Sequence, residues 1–492
     1  MAYSKQFLCR LNVLILLLAV ISFFGIFLQP DYATDSYAEA YSGYSGSAHF
    51  LHDGRLITAS LSFLFNTIHL NLETIGIIST VAAVLLLAIS IFELAKLIKP
   101  ITKDDKISYL SAFLIIINPF TIELFLYIER GIMALSILFC VFAVKYLIYS
   151  FKPYKLQPLL ISVLFMLFAV FCYQGTVGLF IVLSITFSFL YPASRSQIII
   201  IIKRILVSGI VYAVPVLCNL IFIRLFSSDT SRTNSKNINL SSNIEQIFIQ
   251  LKELVTTLGI IPWFIVFLFF VAILAVLIIY FLRRSILKQL IRFVLLLVLV
   301  SFISIISAVA PQLFQSFVNL VPRSSYSFGV IFGTIIFISG FFIQKETKGS
   351  LVKNAIYMIA VVFLSVMFFR FNSIAISHYN TNAIDRARAF WVNDQIKQYE
   401  RTSKQTVTYI VGVTDASPTN HYSEIDVCGS GNVSAFSRSW SDVNSINYFT
   451  NNKYKSKAAN QSQLQYCKSK DWKNLHIEQL KFENDTLLMC NF

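Results

Sequence analysis

The side chains best suited to chemistry are concentrated between residues 31 and 55, DYATDSYAEAYSGYSGSAHFLHDGR. This stretch sets Asp31, Asp35, Glu39 and Asp53 among Tyr32, Tyr37, Tyr41, Tyr44, His49, His52 and Arg55. A carboxylate can take the proton from a hydroxyl that is about to attack. A tyrosine offers a face for a sugar ring, and an arginine offers paired donors to a phosphate oxygen. Asp31, Asp35 and Glu39 are four residues apart, so a helix would put them on one face, where like charges repel slightly. That makes a purely structural role less economical. The bland alternative is a solvated acidic connector whose tyrosines sit at a lipid interface. Asp35 is the first choice for a general base, with Asp31 and Asp53 as further candidates.

Three other groups are informative. In INPFTIELFLYIERGIM, Asn118-Pro119 ends a helix and places Glu123, Tyr127, Glu129 and Arg130 just beyond it. Glu129 joins the catalytic candidates, whereas Glu123 reads as the partner of a nearby arginine. Tyr173-Gln174-Gly175 marks a tight turn, and Pro322-Arg323 precedes a late apolar run. Arg323 at a helix start opposes the helix dipole unless an anion offsets it. Arg55 and Arg323, with Arg130 as a subsidiary third, are the candidates for holding a phosphate. Tyr44, Tyr127, Tyr173 and Gln174 are candidate substrate contacts. His69, His378, His421 and His476 are scattered and read as structural or surface residues. No Walker loop, GxGxxG, HExxH or GxSxG is present. Without an Asp-x-Asp or CxxC pair, neither a metal nor a cofactor is expected.

The elements that must position these residues are apolar helices. Of 492 residues, 56% are hydrophobic and only 13% charged, with a mean hydropathy of +0.69, which excludes a disordered chain or a soluble multidomain enzyme. Candidate spans are 11–29, 73–95, 107–122, 132–150, 157–173, 175–191, 205–224, 258–281, 290–310, 326–343 and 352–369. The apolar stretch 56–70 is too short to count with them. With the N-terminus inside, 19 basic residues fall on the cytoplasmic side and eight on the outer side up to residue 372. The net charge of +15 is thus spread over many short loops, which argues against nucleic acid. All four clusters then share the outer face. The first run is long and lacks a small-x-small cleavage site, so it reads as an uncleaved helix.

An odd number of spans leaves the C-terminus outside. The expected fold is an all-α polytopic membrane protein of about eleven transmembrane helices. Residues 1–372 form its membrane domain, with an outer loop over 30–55, and residues 373–492 form a small α/β appendage. In that tail, 380–400 reads as an amphipathic helix and TVTYIVGV at 406–413 as a strand. Of the tail cysteines Cys428, Cys467 and Cys490, the pair Cys467 and Cys490 is the disulfide candidate in an oxidising compartment.

At these residues the chain resembles the bacterial serotype-converting O-antigen glucosyltransferases, a branch of the polytopic C-type glycosyltransferases. Asp35, Gly43-Tyr44 and Gly54-Arg55 match that family's first outer loop. Asn118-Pro119 with Tyr127 and Glu129, then Tyr173-Gln174, Pro322-Arg323, and Asn382 with Asp385, follow in the family's order. Ser36 and Glu39 depart from the pattern, and Phe50 stands near where a tryptophan is expected. The resemblance covers nearly the whole chain and implies transfer of a sugar, usually glucose, from a polyprenyl (undecaprenyl) phosphate donor. The acceptor would be a hydroxyl of the lipopolysaccharide O-antigen at the periplasmic face of the inner membrane. It also implies two companions, a flippase and a glucosyltransferase that makes the donor. The competing classes are a transporter of a lipid-linked sugar, which would carry ionisable residues at mid-span, and a non-catalytic partner in polysaccharide assembly.

Overall fold

The computed structural model describes residues 14–41, 47–151, 155–191, 197–226, 239–314, 318, 320–346, 350–414, 433–469 and 477–491. Among them, six helices are long and apolar enough to cross a membrane: Leu72–Thr102, Arg130–Ser150, Ile198–Phe226, Trp263–Arg283, Leu287–Leu313 and Leu351–Ser403. Five shorter apolar helices accompany them: Leu14–Leu28, Leu56–Thr67, Leu156–Cys172, Gln174–Leu190 and Tyr326–Phe342. Arg130–Ser150 lies at the centre of the bundle, with 67% of its most apolar window buried, against 22% for the peripheral Ile198–Phe226. On the periphery, Ile198, Leu206, Leu225, Phe267, Val298 and Phe302 stand exposed. A belt of large apolar side chains on this scale suits contact with lipid.

The expected span 107–122 is broken. Its helix covers only Asp105–Ile116, and a short helix Thr121–Phe125 follows. Twelve residues rise about 18 Å, well short of a hydrocarbon core of about 30 Å. The break has a local cause. Pro119 has no N–H to continue the helix, and Asn118 takes over the freed groups, its amide donating to Ile115 O and its Oδ1 accepting from Phe120 N.

The expected span 352–369 and the amphipathic helix 380–400 are joined in one 53-residue helix, Leu351–Ser403. Ser350 caps its start by accepting from Lys353 N, and it contains neither Gly nor Pro. At 1.5 Å per residue it is about 80 Å long. Beyond the apolar stretch it presents one stripe at alternating spacings of three and four, through His378, Asn382, Asp385, Ala389, Val392 and Ile396, all buried. The Asn382 side chain takes Tyr32 N–H at 2.7 Å and donates to Tyr32 O at 3.0 Å, binding the first loop to this helix.

After residue 408 a four-stranded sheet forms from β1 (Tyr409–Thr414), β2 (Lys455–Ser456), β3 (Leu480–Glu483) and β4 (Thr486–Asn491). The order is β2-β1-β4-β3, with β1 parallel to β2 and β4, and β3 antiparallel to β4. Alternation divides the sheet's two faces. Ile410, Leu487 and Met489 pack with Ala389, Val392 and Ile396 of the long helix, and this core also takes in Tyr32, Tyr37, Leu72 and Ile75. Val411, Val413 and Leu488 face the helix Gln461–Lys468, where Cys467 is disulfide-bonded to Cys490.

Asp442 is buried at the start of the helix Asp442–Thr450, accepting from Val443 N at 2.7 Å and Asn491 Nδ2 at 3.2 Å. Burial pushes its carboxyl up to about 7, against the pull of the Val443 N–H and of Arg388. The folded state then holds a proton that the unfolded chain releases near pH 4. Stability from this group is full below about pH 4 and is lost as pH rises through about 7, by at most about 1.4 kcal/mol per pH unit. Thermal unfolding of the sheet unit is expected at a higher temperature at pH 5 than at pH 8. Asp442→Asn should remove part of that dependence, the rest coming from Asp385, whose buried carboxyl is likewise pushed up to about 7, and an unchanged profile in the variant would remove Asp442 as a source.

Candidate active site

Arg55 is positioned by the turn before it. Gly54 has φ +74°, and a Cβ there would meet Ile223 and Asn219 at 2.6–2.8 Å, so both conformation and space call for glycine. Two side-chain amides hold the turn: Gln174 Nε2 donates to Asp53 O at 2.9 Å, and Asn219 Nδ2 to Gly54 O at 2.6 Å. The Arg55 guanidinium lies 5.0 Å from the centre of the Tyr173 ring and 3.7 Å from Asp53 Oδ2, with 25% of its side chain exposed. Burial alone would lower its proton affinity, but the fields of Asp53, Tyr173, Glu129 and Asp35 outweigh burial and hold it above the ordinary value.

Arg323 is mounted in the same way. Its guanidinium sits 3.8 Å from the centre of the Tyr127 ring, a cation–π contact. Glu123, fully buried, accepts from Arg323 N and approaches Nη1 at 3.9 Å. The arginine that Glu123 serves is therefore Arg323, two hundred residues away in sequence. Gly175 joins the two mounts: a Cβ there would fall 2.5 Å from Arg323 O and 2.6 Å from the Tyr173 ring. Among the described residues, Arg55 Nε and Arg323 Nη1 are buried atoms without a hydrogen-bond partner.

Asp35 lies in the first turn of the helix Thr34–Tyr41 and accepts from Trp440 Nε1 at 3.1 Å. It acts electrostatically on Arg55, Glu123 and Arg438. It thereby links the first loop and the field at Arg55 to the turn that carries Trp440. Glu129 precedes the helix Arg130–Ser150 and acts on Arg55. Tyr44 lies outside the described residues.

Asp31 sits before the helix rather than on it, so it does not share a helical face with Asp35; the side chain of Glu39 is outside the described residues. Asp31 and Arg130 form a buried pair at 2.7 Å with side chains 1% and 0% exposed, and His378 Nε2 lies 3.4 Å from Asp31 Oδ2. Arg130 also donates to Phe27 O. This pair ties the first loop to the centre of the bundle. Removing one partner leaves an uncompensated buried charge, at a cost of about 3–5 kcal/mol. Arg130→Met is expected to lower the thermal unfolding temperature sharply, and Asp31→Asn in the same chain should recover part of the loss. A wild-type melting temperature in the single variant would show that the pair contributes nothing.

Sequence reasoning missed Arg438, Trp440, Asn219 and the placement of His378. Asn219 carried a signal, as a polar residue inside the apolar helix Gln197–Phe226. Trp440 carried only its place in the tail, and the contact with Asp35 spans 405 residues.

In this arrangement two cations sit on aromatic mounts, and Arg55 lies in the field of the Asp35 carboxylate, at the place where the helix bundle, the first loop and the sheet unit meet. It can hold an anionic leaving group and accept a proton from an incoming hydroxyl. Residues 24–334 match the family model described as Glucosyl transferase GtrII. A search of curated proteins finds no match.

Proposed function

Because the chain belongs to the GtrII glucosyl transferase family, and is therefore a glycosyltransferase, we propose that it moves glucose from polyprenyl phosphate to an O-antigen hydroxyl. The reaction would occur at the periplasmic face of the bacterial inner membrane and invert the sugar's configuration. The observation that carries this reading is the pair of arginines, Arg55 on Tyr173 in the field of Asp35 and Arg323 on Tyr127 held by Glu123. A polyprenyl phosphate needs no nucleotide site, since its phosphate is already a leaving group.

In the proposed step the acceptor hydroxyl gives its proton to Asp35 as its oxygen bonds to the sugar's C1. The bond from C1 to the phosphate oxygen breaks, and the polyprenyl phosphate leaves with the electron pair, its charge met by Arg55 and Arg323. Arg130 and Asp31, engaged with one another, support the scaffold. Tyr127 and Tyr173 orient the arginines, and Gln174 fixes the turn that carries Arg55. A flippase and a donor-synthesising glucosyltransferase would supply the donor.

We place the protein in the membrane with eleven crossings, the broken pair Asp105–Ile116 and Thr121–Phe125 together making one of them, with the N-terminus in the cytoplasm and the tail of residues 373–492 in the periplasm, following the basic residues, 19 against eight. Reporter fusions after residues 50, 100 and 400 should read outside, inside and outside. An inside signal at 400 would detach the tail from the acceptor side. The activity is tested with purified protein in proteoliposomes, a synthetic polyprenyl-phosphate glucose and an O-polysaccharide. Glucosylated polysaccharide is expected. Movement of the lipid-linked sugar across the bilayer without transfer would favour a carrier instead.

A further inference from the structure

The family match ends at residue 334, yet the tail reaches into the site. The turn before the helix Asp442–Thr450 carries Arg438 and Trp440, and Trp440 Nε1 donates to Asp35 Oδ1. Arg438 lies over the same indole, 5.4 Å from its centre, and is in the field of Asp35. Trp440 is nonetheless 49% exposed, unusual for a tryptophan placed beside a buried core.

The turn is built from below with unusual care for a surface loop. Asp385 of the long helix accepts from Ser434 Oγ and from Ala435 N at 2.7 Å. The Arg388 guanidinium lies 4.6 Å from the centre of the Phe436 ring. Ser441 N and Asp442 N both donate to Arg438 O, fixing the backbone that presents the two side chains. The neighbouring helix is tied to the first loop, where Tyr448 and Tyr32 hydroxyls meet at 3.1 Å and both reach Glu73. An exposed indole held this firmly beside a reacting carboxylate suits a ligand with a flat apolar face and a hydroxyl edge.

We propose that Arg438 and Trp440 form the acceptor subsite, the indole stacking on a sugar ring of the polysaccharide and Arg438 donating to its hydroxyl oxygens. The proposal rests on the reading of Asp35 as general base. With Oδ1 occupied by the indole N–H, Oδ2 is the oxygen that takes the proton from the acceptor hydroxyl. The acceptor thus meets its base on a platform supplied by the tail, while the donor phosphate is held by the bundle and the first loop.

The test uses the full chain in proteoliposomes. Trp440→Ala is expected to raise the acceptor KM about tenfold, the value of one aromatic contact, with the donor KM unchanged. Arg438→Gln should raise the acceptor KM in the same direction. Trp440→Phe keeps a face for stacking and loses the N–H, so it should lower kcat with little change in acceptor KM. Equilibrium binding of O-polysaccharide fragments without donor gives a readout independent of turnover, and Trp440→Ala should weaken it similarly. If Trp440→Ala and Arg438→Gln lower only kcat and leave fragment binding intact, the two residues merely position Asp35 and the subsite is wrong. Failure of the underlying reading looks different: Asp35→Asn would then turn over normally whatever the Trp440 variants do.

Discussion

Asp35→Asn is expected to lower transfer by about 10²–10⁴-fold while the protein accumulates and melts as the unaltered chain does. The substitution is nearly isosteric. An asparagine Oδ1 can still accept from Trp440 Nε1, so the contact at 3.1 Å between first loop and tail survives. What disappears is the charge and the ability to hold a proton. The other carboxylates give contrasting expectations. Asp53 lies 3.7 Å from Arg55 Nη2, and its backbone carbonyl accepts from Gln174 Nε2. Asp53→Asn should therefore cost much less in rate. Asp31→Asn should act on stability, because its carboxylate neutralises Arg130. Near-normal turnover in Asp35→Asn would move the proton-accepting role to Glu129 or Asp53.

Arg55→Lys and Arg323→Lys should each reduce transfer by about 10²–10³-fold although the charge is retained. Arginine gives a phosphate paired donors in a plane, and lysine gives a point charge. The mounts sharpen the difference. A guanidinium can lie flat on the Tyr127 ring at 3.8 Å and still direct its edge outward, whereas an ammonium there has no edge to direct. The bland alternative is that both arginines only anchor helices at lipid head groups. Under that alternative the lysine variants keep both rate and donor affinity. Steady-state kinetics with varied donor, in both variants, decides between them; two unchanged profiles would sink the phosphate clamp.

Much of this site was legible because its residues are of types that membrane helices rarely carry. Arg55, Arg323, Glu123, Asp35 and Gln174 each stood out against an apolar background, and charge asymmetry assigned them to one face. Their partners were harder to read. Glu123 reads locally as a neighbour of Arg130 and instead serves Arg323; Arg130 pairs with Asp31, 99 positions earlier. Sequence spacing is informative only within a helix or hairpin, and these pairings are set by how helices pack. The break at Asn118-Pro119 is visible in the sequence, whereas how far it shortens the span depends on how Asn118 re-satisfies the freed backbone groups. The continuity of Leu351–Ser403 also had a signal, the absence of Gly and Pro across it, which the change in composition after residue 369 obscured.

That continuity makes the long helix behave like a gear. Each residue inserted between its apolar half and Asn382 would turn everything beyond by about 100° and raise it by about 1.5 Å. One added residue would swing Asn382 off Tyr32 and carry Trp440 off Asp35 together, since both contacts join the rotated part to the first loop. Seven added residues would nearly restore the phase, within about 20°, but would lift Arg438 and Trp440 about 10 Å from Asp35. Neither rotation nor height has slack, and a helix without a hinge cannot absorb the error locally. Tails exchanged between related chains would therefore have to be joined in register along this helix, and length changes in the tail should be confined to its loops.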